Sequence, residues 1–407
     1  MSILKDSSIA AAFVSGGFHT MRFVDRCARG RSRLGIDDLR RARRFLFFEY
    51  EPALGSNVHA TPIFEALKRV VPDAVTMVAG GRMAFEVFRQ NPFIDYLVET
   101  PGRGASLLRS VRSLRGHLKA TGFVPEIVIT SYTSQQRSIA IQAFLAGRAI
   151  RLGYTFAPEL YDVFLRYDSR RSLIENNLRI IEGLGYQKQT VEPRVAFGPE
   201  DLDRAKSLLG RTETGRPRVV FITQTSLTQS KNWPADRFVA VANHVTTVLG
   251  GCAIFVGTGK ETERIEAIRT GVQGHSISLA GQTTISQLAA VFSLCDYAVS
   301  LDTGNLHIGR SVGLPMVILT PAWQPLIEWL PLGFDQYRIF KGDDIPKAPS
   351  DYVMDEMGVD EVIAALDDLF ARYPASQQSR EGRVERSLAQ VSPQSRRPLR
   401  QAGKPLP

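Results

Sequence analysis

Cysteine is scarce: the 407 residues hold three, Cys27, Cys252 and Cys295, widely spaced and with no Cys-x-x-Cys pair. Such a set makes neither a disulfide framework nor a structural zinc site, and it points to a reducing compartment. No run of about 18 apolar residues occurs, so no membrane-spanning helix is expected. The apolar stretch 9–14 is too short and too poorly flanked for a signal-peptide core. The body of the chain also lacks the positive charge that the total of +9 suggests. Nine arginines against three aspartates fall between positions 22 and 44, and six arginines and one lysine against two glutamates fall after 373. With basicity confined to the ends, a nucleic-acid-binding body is not expected; attraction of the N-terminal arm to an anionic membrane surface is the alternative to a merely solvated extension.

What is present is ample apolar content, 44% of residues, enough for two domains with separate cores. Short apolar runs alternate with amphipathic stretches, the pattern of an α/β protein with parallel sheets. The first run, Phe45-Leu46-Phe47-Phe48, suits a strand buried on both faces. A loop through Glu51, Gly55 and Ser56 and a helix over 58–70 are expected next. Turn residues and Pro193 mark a boundary near 185–199, after which a second α/β series starts with a strand over 218–223. The expected organisation is a basic arm over 1–43, a Rossmann-like domain over 44–190, a second over 191–373, and a basic disordered tail over 374–407.

The stretch Ser300-Leu301-Asp302-Thr303-Gly304-Asn305-Leu306-His307 reads as a strand end, a turn and a helix over 305–312. The free N–H groups of such a helix point over the strand's carboxyl end, where open α/β sheets bind ligands, and they favour an anion. Thr303 offers a hydroxyl, Gly304 a close backbone approach, and His307 lies one turn along the same face.

Further runs give this turn a context. Ile277 to Ala290, ISLAGQTTISQLAA, precedes Cys295-Asp296-Tyr297 and the Asp302 turn; Lys231-Asn232-Trp233-Pro234 precedes Arg237-Phe238; Leu54-Gly55-Ser56-Asn57-Val58-His59-Ala60-Thr61-Pro62 and Asn91-Pro92-Phe93-Ile94-Asp95 lie near the start. In this order, across residues 45–370, they resemble glycosyltransferase family 9, the bacterial heptosyltransferase family of the GT-B fold. The resemblance implies two Rossmann-like parallel-sheet domains facing a cleft. It also implies inverting transfer of a heptose or similar sugar from a nucleotide diphosphate to lipopolysaccharide or a related, lipid-linked glycan, without a cofactor or obligatory metal, by a cytoplasmic protein that is peripheral at the inner membrane.

On that resemblance the donor's diphosphate meets Lys231, hydroxyls from Thr225 and Ser226, the N–H groups of the Asp302-Thr303-Gly304 turn, and His307. A one-residue shift in spacing before Lys231 leaves open which of Thr225, Ser226 and Thr228 makes the contact. The family's first loop reads Gly-Asp where this chain has Gly55-Ser56. A serine hydroxyl is not ionised near neutral pH and cannot act unaided as the base for the acceptor hydroxyl. Glu49, Glu51 and His59 are the nearby substitutes, and Glu51 is the favoured one.

Other classes fit less well. Val256-Gly257-Thr258-Gly259-Lys260-Glu261 follows a strand, yet has Thr262 where a dinucleotide fingerprint needs its third glycine, and it does not fit a phosphate-binding loop. It reads instead as a turn over the donor's nucleotide, with Glu261 or Glu263 near the ribose or base. A protein that binds nucleotide sugar without transfer, or an epimerase on the same fold, are the remaining alternatives.

Overall fold

The computed structural model describes residues 19–20, 34–102, 104–210, 216–224, 231–349 and 352–388. The chain divides into two compact units, one ending at Glu192 and the other running from Pro193 to Gln390.

The first unit opens with a short helix, α1 (Ile36–Arg41), and continues as β1 (Arg44–Glu49), α2 (Leu54–Ala60), α3 (Pro62–Val70), β2 (Val75–Gly80), α4 (Arg82–Phe88) and β3 (Tyr96–Glu99). It is completed by α5 (Leu107–Thr121), β4 (Ile127–Thr130), α6 (Arg137–Leu145), β5 (Ile150–Gly153), β6 (Val163–Phe164) and α7 (Leu173–Gly183). The strands form one six-stranded sheet in the order β3-β2-β1-β4-β5-β6, and the pairs are parallel. The unbroken apolar run of β1 has its reason in this central place. Phe47 packs edge-on against Phe64 of α3, which in turn meets Phe88 of α4, while Leu46 and Phe48 join Leu114 and Ile139 in a separate core cluster.

The helix expected over 58–70 is two helices. Pro62 has no N–H to donate back along the chain, so α2 stops at Ala60 and α3 begins at the proline. Also, α2 starts at Leu54, earlier than expected, so Ser56 lies in a helical turn and not in a loop. Asn57 ties this start to the chain before it, donating through Nδ2 to the carbonyls of Glu51 at 2.8 Å and Ala53 at 2.7 Å.

The second unit runs α8 (Pro199–Leu209), β7 (Arg218–Ile222), α9 (Ala235–Asn243), β8 (Cys252–Phe255), α10 (Thr262–Arg269), β9 (Ser276–Ser278), α11 (Ile285–Ser293) and β10 (Tyr297–Leu301). Then follow α12 (Gly304–Val312), β11 (Met316–Thr320), α13 (Leu326–Trp329), β12 (Tyr337–Lys341), α14 (Val359–Arg372) and α15 (Gln377–Ser387). Its sheet has the order β12-β11-β10-β7-β8-β9, again parallel. Val219, Phe221, Val299, Leu301, Val317 and Leu319 of the sheet bury one face against Phe238 and Val241 of α9 and Leu366 and Leu369 of α14.

Of the tail expected to be disordered over 374–407, residues 377–387 form α15, and residues 389–407 lie outside the described residues. The polar sequence of α15 holds a helix because its arginines find partners. Arg380 pairs with Asp296, Nη2 to Oδ2 at 2.6 Å, and Arg383, 5% exposed, donates to the carbonyls of Ser293 and Cys295 at the end of α11. A cation at a helix C-terminus satisfies carbonyls that have no intrahelical donor. Of the basic N-terminal arm expected over 1–43, residues 1–18 and 21–33 lie outside the described residues.

Candidate active site

The order of strands reverses between β7 and β10 in the second sheet, and at such a switch point the two exit loops diverge and leave a crevice for a ligand. The exit from β7 leads to Lys231, and the exit from β10 is the Asp302 turn. The two meet: Lys231 Nζ lies 3.3 Å from Asp302 Oδ2 and 3.4 Å from the Asp302 carbonyl. Both side chains are nearly closed to solvent, with Lys231 6% and Asp302 3% exposed. Burial pushes the Asp302 carboxyl above its usual range, while the charge and hydrogen bond of Lys231 act against it. A buried pair of this kind is a poor source of net stability but a fixed local charge arrangement.

Thr303 caps α12 through Oγ1, which accepts from Asn305 N at 3.2 Å, and Gly304 is the first helical residue. His307 is buried one turn later, with its ring centroid 6.1 Å from that of Trp329. Desolvation, then the charges of Arg310 and Lys231, push its pKa down to about 3. The imidazole is therefore neutral at physiological pH, able to donate from one ring nitrogen and accept at the other.

Thus Lys231, Asp302, Thr303, Gly304 and His307 come together around the start of one helix. Thr225 and Ser226, and Thr228 with them, lie outside the described residues. Residues that the sequence reading passed over complete the surround. Trp323 faces Lys231, with Nζ 5.3 Å from the ring centroid, and Thr320 and Gln324 are buried beside Asp302. These lie in or just after β11, so a signal existed in an aromatic and an amide placed where a parallel strand ends.

The turn after β8 is held by tight backbone packing. Gly281, at φ 69°, sits where a Cβ would come 2.9 Å from the Gly259 Cα, so only glycine fits both the dihedral and the contact. Glu261, expected near a ribose or base, accepts from its own turn's Thr258 N at 2.6 Å as part of a helix-start capping box.

In the first unit the expected catalytic residues differ in burial. Glu51 lines a cleft of 800 Å³ with Tyr50, Arg82, Met83, Glu99 and Thr100 among others. Ser56 is buried in α2. His59 is 0% exposed, and its carbonyl accepts from Asn177 Nδ2 of α7 at 3.2 Å. Its side chain lies inside with the rest of α2 from Gly55 to Ala60. Glu49, at the carboxyl end of β1, is 1% exposed and accepts from Ser131 Oγ at 2.7 Å. Burial first, and the charge of Glu51 in addition, push its pKa up to about 8 against the lowering effect of Ser131.

Known proteins resemble this chain in sequence and in fold. Residues 135–326 match the model of glycosyltransferase family 9 (heptosyltransferase). The chain is 21% identical over 332 residues to lipopolysaccharide heptosyltransferase 3 of Escherichia coli, covering 77% of this chain and 96% of that protein. Among solved structures, a glycosyl transferase family 9 protein from Veillonella parvula superposes with TM-score 0.74 at 20% identity, over 81% of this chain and 98% of that one. An E. coli heptosyltransferase solved with ADP superposes with TM-score 0.60 at 15% identity, over 81% of this chain and 99% of that one. Two parallel six-stranded α/β units with the GT-B topology, a family model matched over residues 135–326 and a relative aligned over nearly its whole length make this chain similar to the proteins of glycosyltransferase family 9.

Proposed function

We propose that the protein transfers a heptose or a similar sugar from a nucleotide diphosphate to a hydroxyl of a lipopolysaccharide or related glycan, with inversion and without a metal or cofactor. The observation that carries this reading is the buried Lys231–Asp302 pair at the start of α12. A diphosphate leaving group gains negative charge as its bond to the sugar breaks. A lysine ammonium, the N–H groups of a helix start and a neutral His307 are donors suited to that charge.

In the proposed step the acceptor oxygen bonds to the anomeric carbon as the bond from that carbon to the diphosphate oxygen breaks, and the acceptor's proton passes to a carboxylate. Glu51 takes that role here, with Ser56 occupying the place of the family's aspartate. Incubation of the full chain with ADP-heptose and a core-oligosaccharide acceptor is expected to release ADP only when acceptor is present. Glu51→Gln is expected to lower kcat by about a hundredfold or more with ADP affinity nearly unchanged. Unaltered turnover would remove Glu51 from the reaction, and binding of every nucleotide sugar without turnover would favour a non-catalytic role. The basic N-terminal segment, in this reading, holds the protein against an anionic membrane surface.

A further inference from the structure

A recess of 610 Å³ lies in the second unit, at the edge of the sheet away from the Lys231–Asp302 pair. It is walled by α15, by the linker from Arg372 to Ala375, and by the amino ends of three strands: Asp296 before β10, Pro315 before β11 and Gln336 before β12. Because these strands are parallel, their amino ends share one edge of the sheet. The strand from Asp296 to Asp302 therefore separates the recess from the donor crevice by about 20 Å.

The recess carries more positive charge than its own acids answer. Gln378, Ser379, Gly382, Arg383 and Arg386 recur at helical spacing along the face of α15 that lines it, and Glu381 and Glu385 of that helix do not. Arg372, Arg383 and Arg386 stand against one lining carboxylate, Asp296. That carboxylate is already engaged by the Arg380 guanidinium and by the Arg218 N–H. Arg383 is buried, yet its Nη2 is 3.9 Å from Asp296 Oδ1. Burial, with the charges of Arg386 and Arg380 in addition, holds the Arg383 pKa below its ordinary value against the raising effect of Asp296 and Cys295. Its hydrogen bonds among the described residues use Nε and Nη2, which leaves Nη1 to donate. Arg386 makes no ion pair or hydrogen bond among the described residues. Its guanidinium lies over Gly313, where a Cβ would come 3.3 Å from Nη2. Arg372 is shared with Asp368, at 2.8 Å. The sequence after α15 brings no counter-charge, because residues 389–407 hold Arg396, Arg397, Arg400 and Lys404 and no acidic residue.

A volume of this size suits a small molecule. Guanidinium forks flanked by the Ser379 hydroxyl and the Gln378 amide match a group with several acceptor oxygens on one centre. A phosphate monoester meets that demand better than a carboxylate, since it brings nearly two negative charges and three free oxygens. We propose that this recess binds a phosphate monoester, at a site separate from the donor crevice, with Arg383 and Arg386 meeting the phosphate and α15 tightening around it. The proposal requires nothing of the transferase reading.

The test uses the full chain saturated with ADP, so that the donor crevice is filled. Calorimetric titration with glucose 6-phosphate, with dihexanoyl phosphatidate below its micelle concentration and with glucose separates a free ester, a lipid headgroup and an uncharged ring. Hydrogen exchange reads the amides of residues 377–387. At least one ester is expected to bind and to slow exchange in α15, while glucose does neither; the ester that binds more tightly identifies the source of the phosphate. Arg386→Gln should weaken that ester at least tenfold. Gly382→Glu puts a carboxylate into the recess at a position where a Cβ meets nothing within 4 Å and where a helix favours glutamate over glycine. It should abolish ester binding while α15 stays as protected as in the unliganded parent. ADP affinity should be unchanged in both variants. No binding of either ester, equal binding of glucose, unchanged ester affinity in the two variants, or binding of a tetraglutamate peptide in place of the esters would overturn the proposal. Failure of ADP to bind would overturn the donor reading alone, since the two variants still locate the phosphate contact.

Discussion

Two buried residues carry most of the testable chemistry, and each depends on what surrounds it. Lys231 is held by Asp302 and by the face of Trp323, so in the proposed reading a diphosphate competes for its ammonium and disturbs the indole. Lys231→Gln is expected to reduce ADP affinity tenfold or more, followed by tryptophan emission. The double variant with Asp302→Asn avoids leaving an unpaired buried carboxylate, whose cost is about 3 kcal/mol or more. Unchanged affinity in both would remove Lys231 from the diphosphate contact. Glu49 makes a prediction about pH. Its pKa rises from 4.5 in the unfolded chain to about 8 in the fold, so its contribution to stability is full below pH 4.5 and is lost as pH rises toward 8. The slope is at most about 1.4 kcal/mol per pH unit in that window. Thermal melts of Glu49→Gln should show a flatter fall from pH 4.5 to 8 than the parent protein; parallel profiles would mean that Glu49 does not titrate as its burial implies.

At the level of elements, α15 shows how a segment of low apolar content becomes ordered. Asp296 joins three structures: it accepts from Arg218 N at the start of β7 at 2.8 Å, it lies at the entry to β10, and it pairs with Arg380 of α15. Asp296→Ala removes the carboxylate from partly buried partners and is expected to cost about 2 kcal/mol. It should also expose the amides of residues 377–387 to faster hydrogen exchange than any other helix of the second unit. Unchanged protection there would show that Arg383 and its carbonyl partners hold the helix without the ion pair. The α2–α3 break is a second lesson. Apolar spacing over 58–70 suggested one helix because periodicity does not register a missing N–H, and Pro62 divides it.

At the scale of the whole molecule, charge is distributed so that the sheet-forming body is nearly neutral and the ends are basic. Deletion of residues 1–33 leaves the described first unit almost whole. It is expected to abolish sedimentation with phosphatidylserine vesicles at low salt while leaving ADP affinity unaltered; sedimentation that persists would locate the membrane contact elsewhere. Much of the architecture was legible in the chain. Phe45 to Phe48 announced a strand buried on both faces, and the alternation of apolar runs announced parallel sheets, because burial in the middle of a parallel sheet leaves no polar side to write into the sequence. The Asp302 turn and the helix after it were legible too, since a capped helix start is a local event. Long-range contact decided the rest. Nothing local indicates that Lys231 closes on Asp302, 71 residues away, that Trp323 backs the lysine, or that His59 lies inside while Glu51 borders a cleft. Burial and charge pairing are properties of what the chain brings together, and only the tertiary structure sets them.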